Sequence, residues 1–289
     1  MISILLTSFK EPNTIGLAIK SLTSQGIQDY ELLVAAPDED TLNAAREKAV
    51  KNKKIKVIQD PGKGKPTALN MLFKHAKGDI LVLSDGDVLV DRNAIKNLIN
   101  PFSDKSIGAA SGQVVSSNTR DSAMGFWAHV LSKGFDIFRK SESENVICSG
   151  YLYAIRRGIV KSIPSDTLAD DAYISLYILS KGFKSVYVPQ ARVFVKYPTN
   201  LPDWISQKKR TAGRLYQLSE KFKLKKSSSL KSEIISGFYS MHEINSPREL
   251  LWFIGLVFMR IYIWARIFLD FRLKKRAFSA VWQRVESTK

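Results

Sequence analysis

The chain has 289 residues, enough for one large domain or a domain with an appendage, and its apolar content of 45% is that of a globular protein. A formal net charge of +17 implies an anionic partner: nucleic acid, an anionic membrane face or a phosphorylated substrate. The only cysteine, Cys148, excludes an internal disulfide and a cysteine-rich metal site and fits a reducing compartment, while the opening Met-Ile-Ser-Ile-Leu-Leu reads as a strand and not as a secretory signal.

In chain order, Ile2 to Leu6 predicts a short strand. Asn13 or Thr14 caps a helix to about Ser24, with Ile15, Ala18, Ile19 and Leu22 inward. Glu31 to Ala35 is a second strand, Pro37 to Thr41 opens a helix through about Lys51, and Ile55 to Ile58 is a third strand. After Gly62-Lys63-Gly64-Lys65-Pro66, a helix starts at Thr67 with Leu69, Leu72, Phe73 and Ala76 inward. Ile80 to Leu83 is a buried strand ending in Ser84-Asp85-Gly86-Asp87. A helix from Asp91 to Phe102, a strand from Ile107 to Val115, a less regular aromatic stretch (Phe126, Trp127, Phe135, Phe138) and a segment from Val146 to Ile155 follow. Asp170-Asp171 open a helix stopped by Gly182, Ser185 to Val188 is a strand, Trp204 to Tyr216 a basic amphipathic helix, and Lys221 to Ser232 a loop. Strands alternating with helices of this length imply βαβ units, a mostly parallel sheet, and ligands beyond the carboxyl ends of the strands.

Asp85 and Asp87 stand one residue apart at such a strand end. Two like charges there repel unless a cation lies between them, and a hard divalent cation held also by a diphosphate would satisfy both. The competing reading is an Asp-Gly turn closing a hairpin. Likewise, Asp170 and Asp171 in the first turn of a helix can be dipole partners and nothing more. His75, His129 and His242 fall in no metal-ligand spacing, and Lys63 reads as a solvated loop charge.

Taken together, Gly64-Lys65-Pro66-Thr67-Ala68-Leu69-Asn70, Gly78-Asp79-Ile80 and Ser84-Asp85-Gly86-Asp87 resemble the lysine loop, helix and metal-binding Asp-x-Asp of the family-2 glycosyltransferases. Ser149-Gly150 through Arg156-Arg157 is similar to that family's acceptor-side segment, Ala169-Asp170-Asp171 with Gly182 and Pro189 to its Glu-Asp catalytic motif, and Gln207-x-x-Arg210 to its Gln-x-x-Arg-Trp. The resemblance covers about residues 2–215 and implies an α/β fold of the GT-A (Rossmann-like) type, with a mostly parallel central sheet flanked by helices. It implies transfer of a sugar from a UDP- or GDP-sugar to an acceptor hydroxyl with inversion. Ser8, Glu11, Asp38, Lys65, Asp85, Gln207 and Arg210 are then expected at the donor, Asp85 and Asp87 at Mg²⁺ or Mn²⁺, Gly150 and Asp170 at the acceptor, and Asp171 as general base. Three departures stand out. Thr211 replaces the Trp of processive polysaccharide synthases, Ala35-Ala36 replace an aspartate that commonly meets the nucleobase, and Asp170 replaces the usual Glu.

Leu250 to Leu269 is the most apolar stretch, with Arg260 near its middle and basic flanks. The expectation is a membrane-associating helix lying in the interface or shallowly inserted, with Trp252, Tyr262 and Trp264 at headgroup depth. A single span and a buried core helix are the alternatives. Domains are expected at 1–220 (catalytic), 221–247 (basic, Ser-rich linker and short amphipathic segment) and 248–289 (hydrophobic helix and basic tail), on a cytoplasm-facing membrane surface with a lipid-linked or glycan acceptor. Truncation after about Ser246 should leave nucleotide binding intact. A sugar-1-phosphate nucleotidyltransferase would need a Gly-rich, Arg-containing loop where Ser8-Phe9-Lys10-Glu11-Pro12 stands. A non-enzymatic membrane- or nucleic-acid-binding protein would leave the aspartates at element ends unexplained, and no nucleic-acid-binding signature is present.

Overall fold

The computed structural model describes residues 1–142, 145–222, 241–267, 269 and 287–288, and the side chains of 212–221 and 267 lie outside the description. The chain forms two compact units, one of Met1–Val115 with Arg139–Val195, the other of Ser116–Phe138 with Lys196–Thr288.

The first unit is built on β1 (Ile2–Thr7), β2 (Tyr30–Ala36), β3 (Ile55–Gln59) and β4 (Ile80–Asp85), joined by α1 (Ile15–Thr23), α2 (Glu39–Val50) and α3 (Lys65–His75). β1 to β4 pair in parallel, and β1 and most of β2 and β4 are buried, as strands covered on both faces must be. α1 buries Ile15, Ala18, Ile19 and Leu22, the expected stripe. After β4 come β5 (Val88–Val90), α4 (Ala94–Ile99), β6 (Ile107–Ser116), β7 (Leu152–Arg156), α6 (Asp170–Ser180) and β8 (Lys184–Val195). The strand order is β3-β2-β1-β4-β7-β6-β8-β5.

The sheet is therefore mixed, which corrects the mostly parallel expectation. β7 runs antiparallel to both β4 and β6, and β5 antiparallel to β8. Helical crossovers, the requirement for parallel neighbours, stop at β4. From β1 the chain moves outward through β2 and β3, then returns to lay β4 on the other side of β1. That reversal makes the β1/β4 boundary the topological switch point, where the carboxyl ends of the strands open a crevice.

The second unit holds most of α5 (Ala123–Ser141), α7 (Leu201–Lys221) and α8 (Pro247–Ile267). The stretch expected to be irregular is thus a 19-residue helix. Gly125 and Gly134 weaken its local helical signal, yet Gly125 is there for space: a Cβ would meet the Thr119 carbonyl at 1.8 Å. Phe126, Trp127, Val130, Trp204, Leu256 and Ile263 form its core. Trp127 packs on Trp204 at 5.1 Å and donates its indole N–H to the Trp252 carbonyl at 2.6 Å. Arg120 reaches Glu243 and Glu249 and anchors the start of α8.

α8 is only partly buried. Leu256 and Ile263 are buried, while Leu250, Leu251, Ile254, Phe258 and Ile261 are exposed. Trp252, expected at headgroup depth, instead packs against Phe126 at 6.1 Å. Among the described residues no helix is long and apolar enough to cross a membrane. Truncation after Ser246 would remove Leu256 and Ile263 from the core of the second unit. The expected loop to Ser232 lies outside the described residues beyond 222, as does most of the basic tail.

Candidate active site

Thr7 ends β1 and Asp85 ends β4, directly paired across the switch point. The Gly86 N–H donates to the Thr7 carbonyl at 3.0 Å. A Cβ on Gly86 would lie 2.3 Å from Ser8 Oγ and 2.6 Å from Glu11 Oε2. Only glycine lets the loop after β1 close on the loop after β4, and the middle residue of Asp-Gly-Asp has that as its physical reason. Ser8 donates to Glu11 Oε2 at 2.6 Å, and the Glu11 N–H donates to Thr41 Oγ1 at 2.8 Å. Ser8 and Glu11 are buried, and Asp85 and Asp87 are half-buried on the other side of Gly86.

Lys65 opens α3, two residues earlier than the sequence indicates, because Gly64 adopts φ 93° as N-cap and Pro66 suits the first turn. Its ammonium lies 2.7 Å from Asp85 Oδ1 and 3.4 Å from Asp170 Oδ2. Burial alone would lower its pKa, but the Asp170 and Asp85 carboxylates outweigh that and hold it above its ordinary range. Burial pushes the Asp85 carboxyl up, Lys65 opposes this, and the charges of Asp87 and Asp170 add to it. Asp171, next along α6, accepts the Gly150 N–H at 2.8 Å through Oδ2 and the Ala172 N–H at 2.9 Å through Oδ1. A Cβ on Gly150 would sit 3.1 Å from Asp171 Oδ2, so glycine gives that oxygen room.

Asp170, Asp85 and Asp171 thus act on Lys65, and Asp87 and Asp170 act on Asp85. This surplus of hard oxygen donors fits a divalent cation. Among the described residues no three His, Cys, Asp or Glu side chains form a complete cluster, so two aspartates completed by diphosphate oxygens is the coordination these residues can serve.

Asp38 is otherwise engaged. It caps α2, with Oδ1 accepting from Thr41 N and Oγ1 and Oδ2 accepting from Lys10 N at 2.7 Å. It therefore fixes the loop that carries Glu11. Asp60, which the sequence did not single out, is buried just past β3. Burial pushes its carboxyl up, against the Gly62 N–H that it accepts, and the charge of Asp38 acts in the same direction as burial. Arg156 and Arg157 fall at the far end of β7, where Arg156 pairs with Ile80 and donates to the Phe102 and Asp104 carbonyls. Gln207 and Arg210 are on α7 in the second unit, Gln207 buried and Arg210 half-buried. A groove of about 770 Å³ opens among Asp91, Arg92, Lys96, Lys140 and Arg192, and none of the candidate residues lines it.

Residues 1–213 match the family model described as "Glycosyltransferase like family 2". An N-acetylglucosaminyltransferase of Azorhizobium caulinodans is 22% identical over 75% of this chain and 60% of its own length. That of Rhizobium meliloti is 26% identical over 73% and 54%, and a hyaluronan synthase of Streptococcus pyogenes 24% identical over 51% and 39%. The chain thus spans about 60% or less of these curated relatives. A mannosyltransferase of Pyrobaculum calidifontis, solved with GDP-Man and Mn²⁺, superposes with a TM-score of 0.65 at 19% identity, covering 96% of this chain and 82% of that one. That likeness establishes the GT-A-type fold.

Proposed function

Because the chain belongs to glycosyltransferase family 2, we propose that it transfers a sugar from a nucleoside diphosphate sugar, UDP- or GDP-linked, to an acceptor hydroxyl with inversion at the anomeric carbon. The observation that carries this is the gathering of Ser8, Glu11, Asp85 and Asp87 across Gly86 at the β1/β4 switch point, with Lys65 and the Asp170-Asp171 pair beside them. Ser8 and Glu11 hold the nucleoside side, and Lys65 lends charge to the donor side. Asp85 and Asp87 would hold Mg²⁺ or Mn²⁺, which when bound neutralises the diphosphate leaving group. Gln207 and Arg210 are assigned to the diphosphate, a role suited to a planar guanidinium.

Asp171 is the base. Gly150 and Ala172 donate to its two oxygens, which fixes its plane while each oxygen keeps a lone pair for an incoming proton. The acceptor oxygen forms a bond to the anomeric carbon, the bond from that carbon to the phosphate oxygen breaks, and the acceptor proton passes to Asp171. One displacement with one base inverts the centre.

The acceptor is assigned to the lipid-linked or glycan class at a cytoplasm-facing membrane surface. The exposed apolar residues of α8 and the net charge of +17 support that placement. A panel of nucleotide-sugars incubated with the protein and Mn²⁺ tests the function. Release of UDP or GDP from one member, with that nucleotide raising the melting temperature only when metal is present, is the expected result. Stabilisation by DNA alone would instead favour a nucleic-acid-binding role.

A further inference from the structure

Tyr153 lies in the middle of β7, fully buried, and its hydroxyl has no hydrogen-bond partner among the described residues. It pairs with Leu83 on β4 and Ser111 on β6. Paired residues of antiparallel strands share a sheet face, and so do residues two apart in one strand. Tyr153 therefore stands on the face of β4 that also carries Asp85, two residues beyond Leu83. Three residues before Tyr153, Gly150 holds Asp171. Burial pushes the phenol's pKa up, and the Asp170 and Asp171 carboxylates act in the same direction. One oxygen of the site is short of a donor: Asp170 Oδ2 is buried and, among the described residues, makes no hydrogen bond, with the Lys65 ammonium at 3.4 Å.

A buried hydroxyl left unpaired is destabilising, and phenylalanine would fill the same space without that cost. A donor without an acceptor stands on the sheet face of Asp85, and an acceptor without a donor, Asp170 Oδ2, shares the Lys65 ammonium with Asp85. We propose that Tyr153 is a positioning residue for the transfer reaction, donating its phenolic hydrogen bond to Asp170 and holding that carboxylate, and through it Lys65, in the geometry the site works in. No ligand touches Tyr153. It acts from below, and its effect should fall on turnover and spare donor binding. This inference rests on the function proposed above.

The test is a double-mutant cycle. Tyr153→Phe should lower kcat about tenfold with the KM for the nucleotide-sugar unchanged, and in an Asp170→Asn background the same change should cost nothing more. Tyr153→Phe keeps ring and volume, and an unchanged or higher melting temperature would confirm that the loss is not one of folding. Unchanged kcat in Tyr153→Phe, or an equal loss in both backgrounds, overturns the assignment. If no nucleotide-sugar is turned over by the unaltered protein, the function fails but Tyr153 is still tested. The infrared difference between unaltered protein and Tyr153→Phe should contain a shifted carboxylate stretch that vanishes in the Asp170→Asn background. A difference spectrum without that band overturns the inference.

Discussion

At the residue scale, Lys65 ties Asp85 to Asp170, while Asp171 is held by the Gly150 and Ala172 N–H groups, so the metal and base roles can be tested apart. Asp85 is pinned by Lys65 at 2.7 Å, whereas Asp87 is half-buried at the open end of β4. Asp87→Ala should therefore abolish the Mn²⁺-dependent stabilisation by UDP or GDP while the melting temperature without ligand stays within about 2 °C of the unaltered protein, since surface changes cost little. A variant that still binds nucleotide with unchanged metal dependence would remove Asp87 from the metal site. Asp171→Asn should keep nucleotide binding and lose transfer by about 10²-fold or more. Transfer at an undiminished rate would mean that the acceptor arrives already ionised, as a lipid phosphate would, and that Asp171 serves only α6.

At the element scale, the two ends of the parallel strands do different work. The carboxyl ends carry the candidate site, and the amino ends are tied by Glu31. Its Oε1 accepts from Ser3 Oγ of β1 at 2.8 Å and from Lys77 N, ahead of β4, at 2.7 Å, and Lys56 of β3 approaches Oε2 at 3.1 Å. Burial pushes this carboxyl up, but the Lys77 N–H, the Ser3 hydroxyl and Lys56 outweigh it, and its pKa is lowered. A pKa lower in the folded state than in the unfolded chain gives stability that is present above the unfolded value, about 4.3, and is lost as pH falls through the folded value. Glu31→Gln should lower stability at neutral pH by about 1–3 kcal/mol and flatten its decline below pH 5, while kcat is unchanged. Thermal denaturation between pH 3 and 7 measures this. An acid limb as steep as that of the unaltered protein would show that other carboxylates carry it.

At the scale of the whole molecule, charge and exposed apolar surface act together. Leu251, Phe258 and Ile261 are 69%, 67% and 61% exposed on α8. Attraction to anionic lipids contributes about 1 kcal/mol for each well-placed basic residue, and burial of each such side chain about 1.5–3 kcal/mol. The full chain should float with anionic vesicles at low salt and progressively less as salt rises. Phe258→Ser and Leu251→Ser should each weaken that binding about tenfold and leave nucleotide binding alone. These substitutions spare the core, whereas removing the helix would expose Trp127 and Trp204. Protein that stays in the soluble fraction at low salt would place the acceptor in solution.

Much of this was determined by the order of residues alone. Alternating strands and helices to β4, the stripe of α1, the aspartates at a strand end and the glycosyltransferase likeness depend on local pattern, which periodicity and turn chemistry report directly. Tertiary structure decided the rest, because it depended on who meets whom across many residues. The antiparallel return of β7 turned a mostly parallel sheet into a mixed one and put Arg156 at the far end from Gly150. The glycines of α5 hid a helix, and the need for Gly125 lies in the Thr119 carbonyl ahead of it. Asp38, expected at the donor, also caps α2 through Thr41 and accepts from the Lys10 N–H. Tyr153 reads as one more apolar position in a strand, and only the sheet pairing places its hydroxyl on the face of the carboxylates. Pattern fixes what a segment is, but the neighbours of a buried polar atom come from pairings between segments distant in sequence, and those neighbours set its chemistry.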